Sequence, residues 1–221
     1  MNGEYLIRQA VAADIAFIAD GIIAAEKSGT KKLGLGTLFN IHEQEIKKLL
    51  MLCLDEESTG CEFSINSYLI TEHAGKSVAA AAGWIEGFET NIASRTIKTN
   101  LIRFIFPKEN ILDAYSKSDI VKDVLIEREK NTLQLEYAYT LNEYRGKGLA
   151  GNLFEELIAV SRAKYPGLKK AQLQVFNNNP SAIRLHERSG FKAVKLFTSN
   201  NKEILKYLPC NEKLLMEKMI K

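Results

Sequence analysis

The chain has 221 residues, of which 46% are hydrophobic and 26% are charged, and its formal net charge is +3 at pH 7. This length suits one well-cored domain, and the composition is that of an ordered globular protein, which argues against a disordered chain. No stretch approaches the roughly 18 apolar residues that span a bilayer, and the first residues lack a basic and then apolar leader, so we expect no membrane insertion and no export.

The three cysteines, Cys53, Cys61 and Cys210, show no C-x-x-C spacing. Neither a disulfide framework nor a zinc site is indicated, which fits a reducing, cytoplasmic compartment. Basic residues concentrate near the C-terminus, where residues 132–221 carry 15 basic and 8 acidic side chains. That excess suits a phosphorylated ligand, although solvated surface lysines would also explain it. Because the chain has no dense Lys/Arg run and no reader motif, nucleic acid is not expected as a partner.

The N-terminal part reads as a strand, two helices and a hairpin. Alternating apolar residues predict a strand over 4–11, and helical spacing predicts helices over 12–29 and 40–56. The glycine-rich stretch 29–37 is interpreted as their connector. Two β-rich runs within 63–88, separated by a turn, predict the hairpin.

The C-terminal part alternates strands and helices after an insertion of about residues 89–131, in which 107–131 has a helical pattern. We therefore predict a single α/β domain over 1–221, with a mixed central sheet flanked by helices. The predicted elements after the insertion are a strand at 132–140, a helix at 148–165, a strand at 169–176, a helix at 180–190 and two closing strands at 191–199 and 213–220.

The stretch LNEYRGKGLAGNLFEELI, residues 141–158, fits two glycine patterns at once. Gly146, Gly148 and Gly151 spell the dinucleotide pattern G-x-G-x-x-G. A dinucleotide site needs a strongly apolar strand directly before the glycines and an acidic residue about 20 positions further on. Here the preceding strand is half polar, LNEY intervenes, and the next strand ends in NNN without an acid. A dinucleotide enzyme is therefore the weakest interpretation.

The physical role of this loop follows from its position at the start of a helix. Successive backbone N–H groups at a helix N-terminus form a positive cradle for pyrophosphate, and glycine lets the backbone approach the oxygens closely. Arg145 and Lys147 add positive charge. The expected donors are Gly146, Lys147, Gly148, Leu149, Ala150 and Gly151.

The order of motifs over 132–194 resembles the core of the GNAT superfamily of N-acetyltransferases. A strand, a polar turn, the sequence R-x-x-G-x-A at a helix start, a second strand, Asn-x-x-Ala and then Gly-Phe follow one another. The resemblance implies an acyl-coenzyme A dependent transferase, with acetyl-CoA as co-substrate, a small-molecule or peptide primary amine as acceptor and no metal. Homodimers are common in this superfamily, but the sequence holds no interface signal.

The resemblance also implies roles for individual cofactor-binding residues. The main chain of Ala138, Tyr139 and Thr140 would hold the pantetheine arm and the thioester carbonyl, one N–H serving as oxyanion donor. Asn179 would bind the pantetheine or a phosphate. Asn177 and Asn178 are the alternatives for that position, and helix capping is the alternative role.

An amine acceptor must lose a proton before it attacks, and in this superfamily a carboxylate or histidine on the first core strand often accepts it. Glu136 is the matching residue. Regular alternation along the strand predicts that Glu136, Ala138 and Thr140 share one face. A salt-bridged glutamate on a sheet face is the competing interpretation.

The leaving thiolate then needs a proton, and the superfamily usually places a tyrosine four residues before the Gly-Phe pair. This chain has His186 there, which is a departure from the pattern. Neutral imidazole can donate a proton, so His186 is the candidate general acid, with packing or cofactor positioning as alternatives. Because the tyrosine is missing, a non-catalytic acyl-CoA binding or sensing module remains the second hypothesis. Residues 28–60 and 89–131, which would contact the acceptor, contain no recognisable motif.

Overall fold

The structure, a computed structural model, describes residues 5–89 and 91–220. Seven strands form one sheet, and the first and last residues of these strands lie close to those predicted from the sequence. Glu4, with which the first predicted strand begins, lies outside the described residues. The strands are β1 (Tyr5–Gln9), β2 (Tyr68–His73), β3 (Lys76–Ile85), β4 (Leu133–Thr140), β5 (Lys170–Phe176), β6 (Lys192–Thr198) and β7 (Glu212–Met219).

Helices cover both faces of this sheet. One core layer packs α1 and α3 against it, and the other packs α7, so each strand alternates apolar side chains between two helical layers. No helix among the described residues is long and apolar enough to cross a membrane. The helices are α1 (Ile15–Lys27), α2 (Gly34–Phe39), α3 (Glu43–Asp55), α4 (Ser94–Ile105), α5 (Lys108–Ser116), α6 (Ser118–Val121), α7 (Leu149–Lys164), α8 (Pro180–Arg188) and α9 (Ile204–Tyr207).

The sheet order is β1-β2-β3-β4-β5-β7-β6, and β4 and β5 form a parallel pair inside an otherwise antiparallel sheet. The predicted mixed α/β fold is therefore confirmed. The parallel pair is short, since β4 and β5 are in register only from Leu133 to Leu135 on β4. Beyond Leu135 the two strands separate and leave a gap in the middle of the sheet.

A bulge on β4 lies at the point where this gap opens. Opposite β3, Glu136 pairs with Ala82 and Tyr139 with Ala80, so β4 holds one extra residue, and Tyr137 has a left-handed φ of 53°. The extra residue reverses the alternation of side chains. Tyr137 packs in the α1 layer with Glu136 at its side, whereas Ala138 packs in the α7 layer. The prediction that Glu136, Ala138 and Thr140 share one face is wrong because that rule assumes an unbroken strand.

Three local predictions need correction. The connector 29–37 contains the start of α2, although glycine is a poor helix former. Its Leu35 and Phe39 are buried, so tertiary packing forms this short helix. Residues 107–131, predicted to be helical throughout, are helical only to Val124 and continue without helix from Leu125. Helix α9, between the closing strands, has no counterpart among the predicted elements.

Candidate active site

The glycine loop forms the start of α7, as its sequence predicts. Gly146 and Gly148 have φ of 79° and 76°, and a Cβ on either would meet open space. Leu149 is the first helical residue, so the first-turn amides have no partner within the helix. In the described parts of the chain, no group accepts a hydrogen bond from the N–H of Gly146, Lys147 or Gly148. This concave row of free donors fits a pyrophosphate.

The two cations of the loop are held in different ways. Arg145 Nε donates to the Thr140 carbonyl at 3.2 Å, which fixes the arginine beside the end of β4. Lys147 Nζ donates to the Tyr5 hydroxyl at 3.1 Å and lies 4.8 Å from the ring centroid of Tyr144. Lys147 therefore turns toward a cluster of aromatic rings, and Arg145 is the better placed of the two for a phosphate.

A cavity of about 130 Å³ fills the gap between β4 and β5. It is lined from both faces of the sheet. On the α7 side lie Phe154 and His186, and on the α1 side lie Glu26, Glu136 and Lys213. The gap thus connects the side that carries the glycine loop with the opposite side of the sheet.

The bulge on β4 lies against this cavity. Among the described residues, Tyr137 and Ala138 have no register partner in β3 or β5, and both line the cavity. The sequence predicts an oxyanion donor in this part of β4. Tyr139 instead packs on Phe17, with ring centroids 5.5 Å apart.

Of the three consecutive asparagines after β5, Asn179 lines the cavity. Its Oδ1 accepts hydrogen bonds from the Ala182 N–H at 3.1 Å and the Ser181 hydroxyl at 2.8 Å, which caps helix α8. The carbonyl oxygen is therefore used for capping, and the side-chain amide N–H groups are the ones left for a ligand. Asn177 and Asn178 hold other segments together through Glu212 and Ser28.

Glu136 belongs to a buried ionic cluster. Its Oε1 accepts from Arg128 Nη2 at 3.0 Å, and the same Nη2 lies 3.0 Å from Glu62 Oε1. Lys98 Nζ completes the cluster at 2.9 Å from Glu62. Arg128 also stacks on Trp84, 5.0 Å from the ring. Two acids and two bases are thus paired where water has little access.

The pKa values of the two carboxyl groups of this cluster shift in opposite directions. Burial raises the pKa of Glu136, and the opposing effect of Arg128 does not cancel it. Burial also acts on Glu62, but Arg128 and Lys98 together lower its pKa. The difference follows from the pairing, since Glu62 contacts two cations and Glu136 shares one of them. A carboxylate with a raised pKa is a stronger proton acceptor than an ordinary one.

His186 lies in an aromatic environment on the α7 side. His186 is 8% exposed, and its ring packs near Phe154 and Phe191, with centroid distances of 5.7 and 6.5 Å. Burial lowers the pKa of His186 to about 4, so the imidazole is neutral near pH 7. Its Nδ1 is buried and has no hydrogen-bond partner in the described segments. His186 lines the cavity, and a neutral ring with an unused polar atom at this place fits a group that acts on a bound molecule.

The structure thus places Glu136, Ala138, Asn179 and His186 around one cavity, with the glycine loop on the same side as His186. Sequence reasoning missed the other charged residues of this region. Arg128 and Lys98 come from the insertion, which holds no recognisable motif. Their shared partner Glu62 lies 66 residues from Arg128 and 36 from Lys98, so no local spacing could reveal these two pairs.

Known proteins share this architecture. The sequence model of the acetyltransferase (GNAT) family matches residues 44–191. A solved acetyltransferase structure is 23% identical, with a TM-score of 0.58, over 98% of this chain and 100% of the other. An N-acetyltransferase from Staphylococcus aureus Mu50 is 15% identical, with a TM-score of 0.65, over 96% of this chain and 99% of the other. An agmatine N-acetyltransferase is 14% identical, with a TM-score of 0.55, over 98% of this chain and 99% of the other.

No curated protein sequence matches this chain. At identities this low the likeness to solved structures shows the fold alone. The family match is independent of that likeness, covers more than half of the chain and includes the glycine loop, strands β4 and β5 and His186. The chain belongs to the acetyltransferase (GNAT) family.

Proposed function

We propose that this protein transfers an acyl group, normally acetyl, from its coenzyme A thioester to a primary amine by direct attack in a ternary complex. The observation that carries the proposal is the cavity between β4 and β5, which is lined by Phe154 and His186 on the face of the sheet where α7 packs and by Glu136 on the other face. A thioester seated in this gap would be open to an amine from the α1 side. We infer that residues 1–221 form one such domain.

Each residue contributes a step that its surroundings support. The amides of residues 146–151 and Arg145 bind the pyrophosphate, and the Ala138 main chain and Asn179 bind the arm that crosses the gap. The bound co-substrate supplies an activated acetyl group. Glu136, with its raised pKa, accepts the proton that the acceptor ammonium must lose. His186 donates a proton toward the departing sulfur through its neutral ring.

The acceptor is a primary amine whose approach passes two carboxylates. Glu26 Oε1 accepts from the Tyr137 hydroxyl at 2.7 Å, and within the described chain Glu26 forms no ion pair. An unpaired carboxylate beside Glu136 favours a cationic amine through simple charge attraction. Small amines, polyamines, aminoglycosides and peptide amines all satisfy this requirement.

The proposal is tested by binding and turnover together. Calorimetry with acetyl-CoA should show saturable binding, and thiol release should then depend on one or more amines in a panel of these classes. A protein that does not bind acetyl-CoA contradicts the proposal. Binding without turnover for any acceptor class would instead favour the alternative, a module that binds or senses acyl-CoA.

A further inference from the structure

Lys213, at the start of β7, brings a primary amine into the cavity. Its side chain lines the cavity together with Glu26, Glu136 and His186. Lys213 is the register partner of Phe176 on β5, and its Nζ lies 4.9 Å from the centre of that ring. This position is on the face of the sheet from which an acceptor amine would approach.

The amine of Lys213 is held without an ionic partner. In residues 5–89 and 91–220 its Nζ forms no salt bridge and no hydrogen bond, and its close contact is with the Phe176 ring. The charged groups around it are the carboxylates of Glu136 and Glu26 and, further into the cluster, the cations Lys98 and Arg128. Burial is the largest influence and lowers the pKa of Lys213, and the two cations lower it as well, against the two carboxylates. A larger fraction of this amine is therefore unprotonated than for an exposed lysine.

We propose that Lys213 is itself an acetyl acceptor, so that this chain acetylates its own cavity lysine when no external amine is present. The proposal rests on the proposed function, because the acetyl group comes from acetyl-CoA bound in the gap. The reaction is that of the external substrate with the acceptor already in place, and holding the two reactants together favours it strongly.

The chemistry balances without further reagents. The Nζ lone pair attacks the thioester carbonyl carbon, an N–C bond forms and the C–S bond breaks. Glu136 accepts the proton that Nζ loses, and the coenzyme A thiolate leaves and takes up a proton. The products are Nε-acetyl-Lys213 and free coenzyme A. The acetylated side chain is neutral, so the cavity loses one positive charge and becomes more acidic in character.

The chain supplies an internal control. Lys195 on β6 also lies over a phenylalanine, with Nζ 4.5 Å from the Phe197 ring, but its side chain is exposed and lies outside the cavity. The whole purified protein is incubated with acetyl-CoA and no added amine, and acetylation of each lysine is followed over time by peptide mass spectrometry. Acetylation of Lys213 should exceed that of Lys195 by more than about tenfold, because the cavity holds the amine beside the thioester.

Three further measurements decide the outcome. Lys213→Arg should abolish the fast phase of acetylation by acetyl-CoA. Glu136→Gln should slow that phase. Unfolding the chain in urea should make Lys213 and Lys195 equally reactive. Equal modification of both lysines in the folded protein would overturn the proposal. An unmodified Lys213 in a protein that binds acetyl-CoA and acetylates added amines would overturn it too, and would leave the proposed function intact. Absence of acetyl-CoA binding would contradict the proposed function itself.

Discussion

Different kinds of chemical group line the two sides of the gap between β4 and β5. On the α7 side the groups that we propose bind a ligand are main-chain amides of a glycine loop that is continuous in sequence. On the α1 side they are charged side chains, Glu26, Glu136 and Lys213, which come from separate strands and a helix. Backbone N–H groups are the same whatever the sequence, so the α7 side suits a ligand that does not vary between enzymes, such as pyrophosphate. Side chains can vary, so the second side suits an acceptor that differs between enzymes.

The ionic cluster makes this contrast sharper. Its cations Lys98 and Arg128 both come from the insertion, and they neutralise acids that the sheet and the segment before β2 provide. The insertion therefore contributes to the α1 side, where we propose that the acceptor binds, and variants on the two sides should affect different quantities. The following experiments separate them, in order of decreasing effect.

Glu136→Gln should lower kcat by about 10²–10⁴-fold, because an amide of the same shape cannot accept the proton of the acceptor. The dissociation constant for acetyl-CoA should not change. Steady-state thiol release at saturating acetyl-CoA and calorimetry measure the two quantities. The matched control is Glu217→Gln. Glu217 is also a sheet residue paired with a cation, Lys170, but it lies outside the cavity, so its substitution should leave kcat unchanged. If Glu136→Gln keeps wild-type turnover, Glu136 is only an ion-pair partner.

Arg128→Met should destabilise the fold by about 3–5 kcal/mol, since it leaves Glu62 and Glu136 buried without that cation. Urea unfolding monitored by circular dichroism measures the change. Lys122→Met, in the same insertion, removes an exposed pair with Asp119 and should cost less than about 1 kcal/mol. Equal losses for the two variants would contradict a buried, stabilising role for Arg128.

Acidification should destabilise the protein through His186. Its folded pKa is about 4 and its ordinary value is 6.5, so the unfolded chain binds the proton first as the pH falls. This part of the stability is complete above the unfolded value, and about 2 kcal/mol of it is lost between about pH 7 and about pH 5. His186→Phe should lack that part in urea unfolding at the two pH values. His42→Phe, at an exposed histidine, should keep the wild-type slope.

Gly148→Ala should raise the Kd for acetyl-CoA by about tenfold, because the loop amides can no longer take up the left-handed backbone without strain. The matched control is Gly29→Ala. Gly29 has a φ of 75° with open space around it, as Gly148 does, but lies outside the loop. Both variants should lose about 1–2 kcal/mol of stability in urea unfolding, and only Gly148→Ala should weaken binding in calorimetry. A similar Kd for both would remove the glycine loop from the binding site.

Sequence alone predicted the helices, the strands and the loop of the α7 side well because the information for each of them is local. The loop with its helix start is one short contiguous stretch and the Asn-x-x-Ala turn is another, and each has a backbone requirement that only certain residues meet. The order of strands and helices followed from periodicity for the same reason. His186 was identified by its spacing from Gly190, although its aromatic surroundings were not.

Apart from Glu136, the α1 side could not be predicted, and the reasons are physical. Tyr137 has no sequence property that requires a left-handed φ, so nothing indicated that alternation would reverse on β4. Arg128 was predicted to lie in a helix, whereas it lies in a segment without regular secondary structure and pairs with Glu62 across the fold. Such pairs depend on where the insertion packs, and the packing of distant segments produces no periodic pattern in the sequence.

The short seam between β4 and β5 also bears on how the sheet opens in solution. Pairing there ends at Leu135, whereas β5 and β7 stay in register from Lys170 to Phe176. The sheet is therefore two hydrogen-bonded blocks that share a narrow junction. In native-state hydrogen exchange the amides just beyond this junction should exchange through small openings, while those of β5 exchange only with larger unfolding. A ligand that bridges the junction would join the two blocks into one cooperative unit.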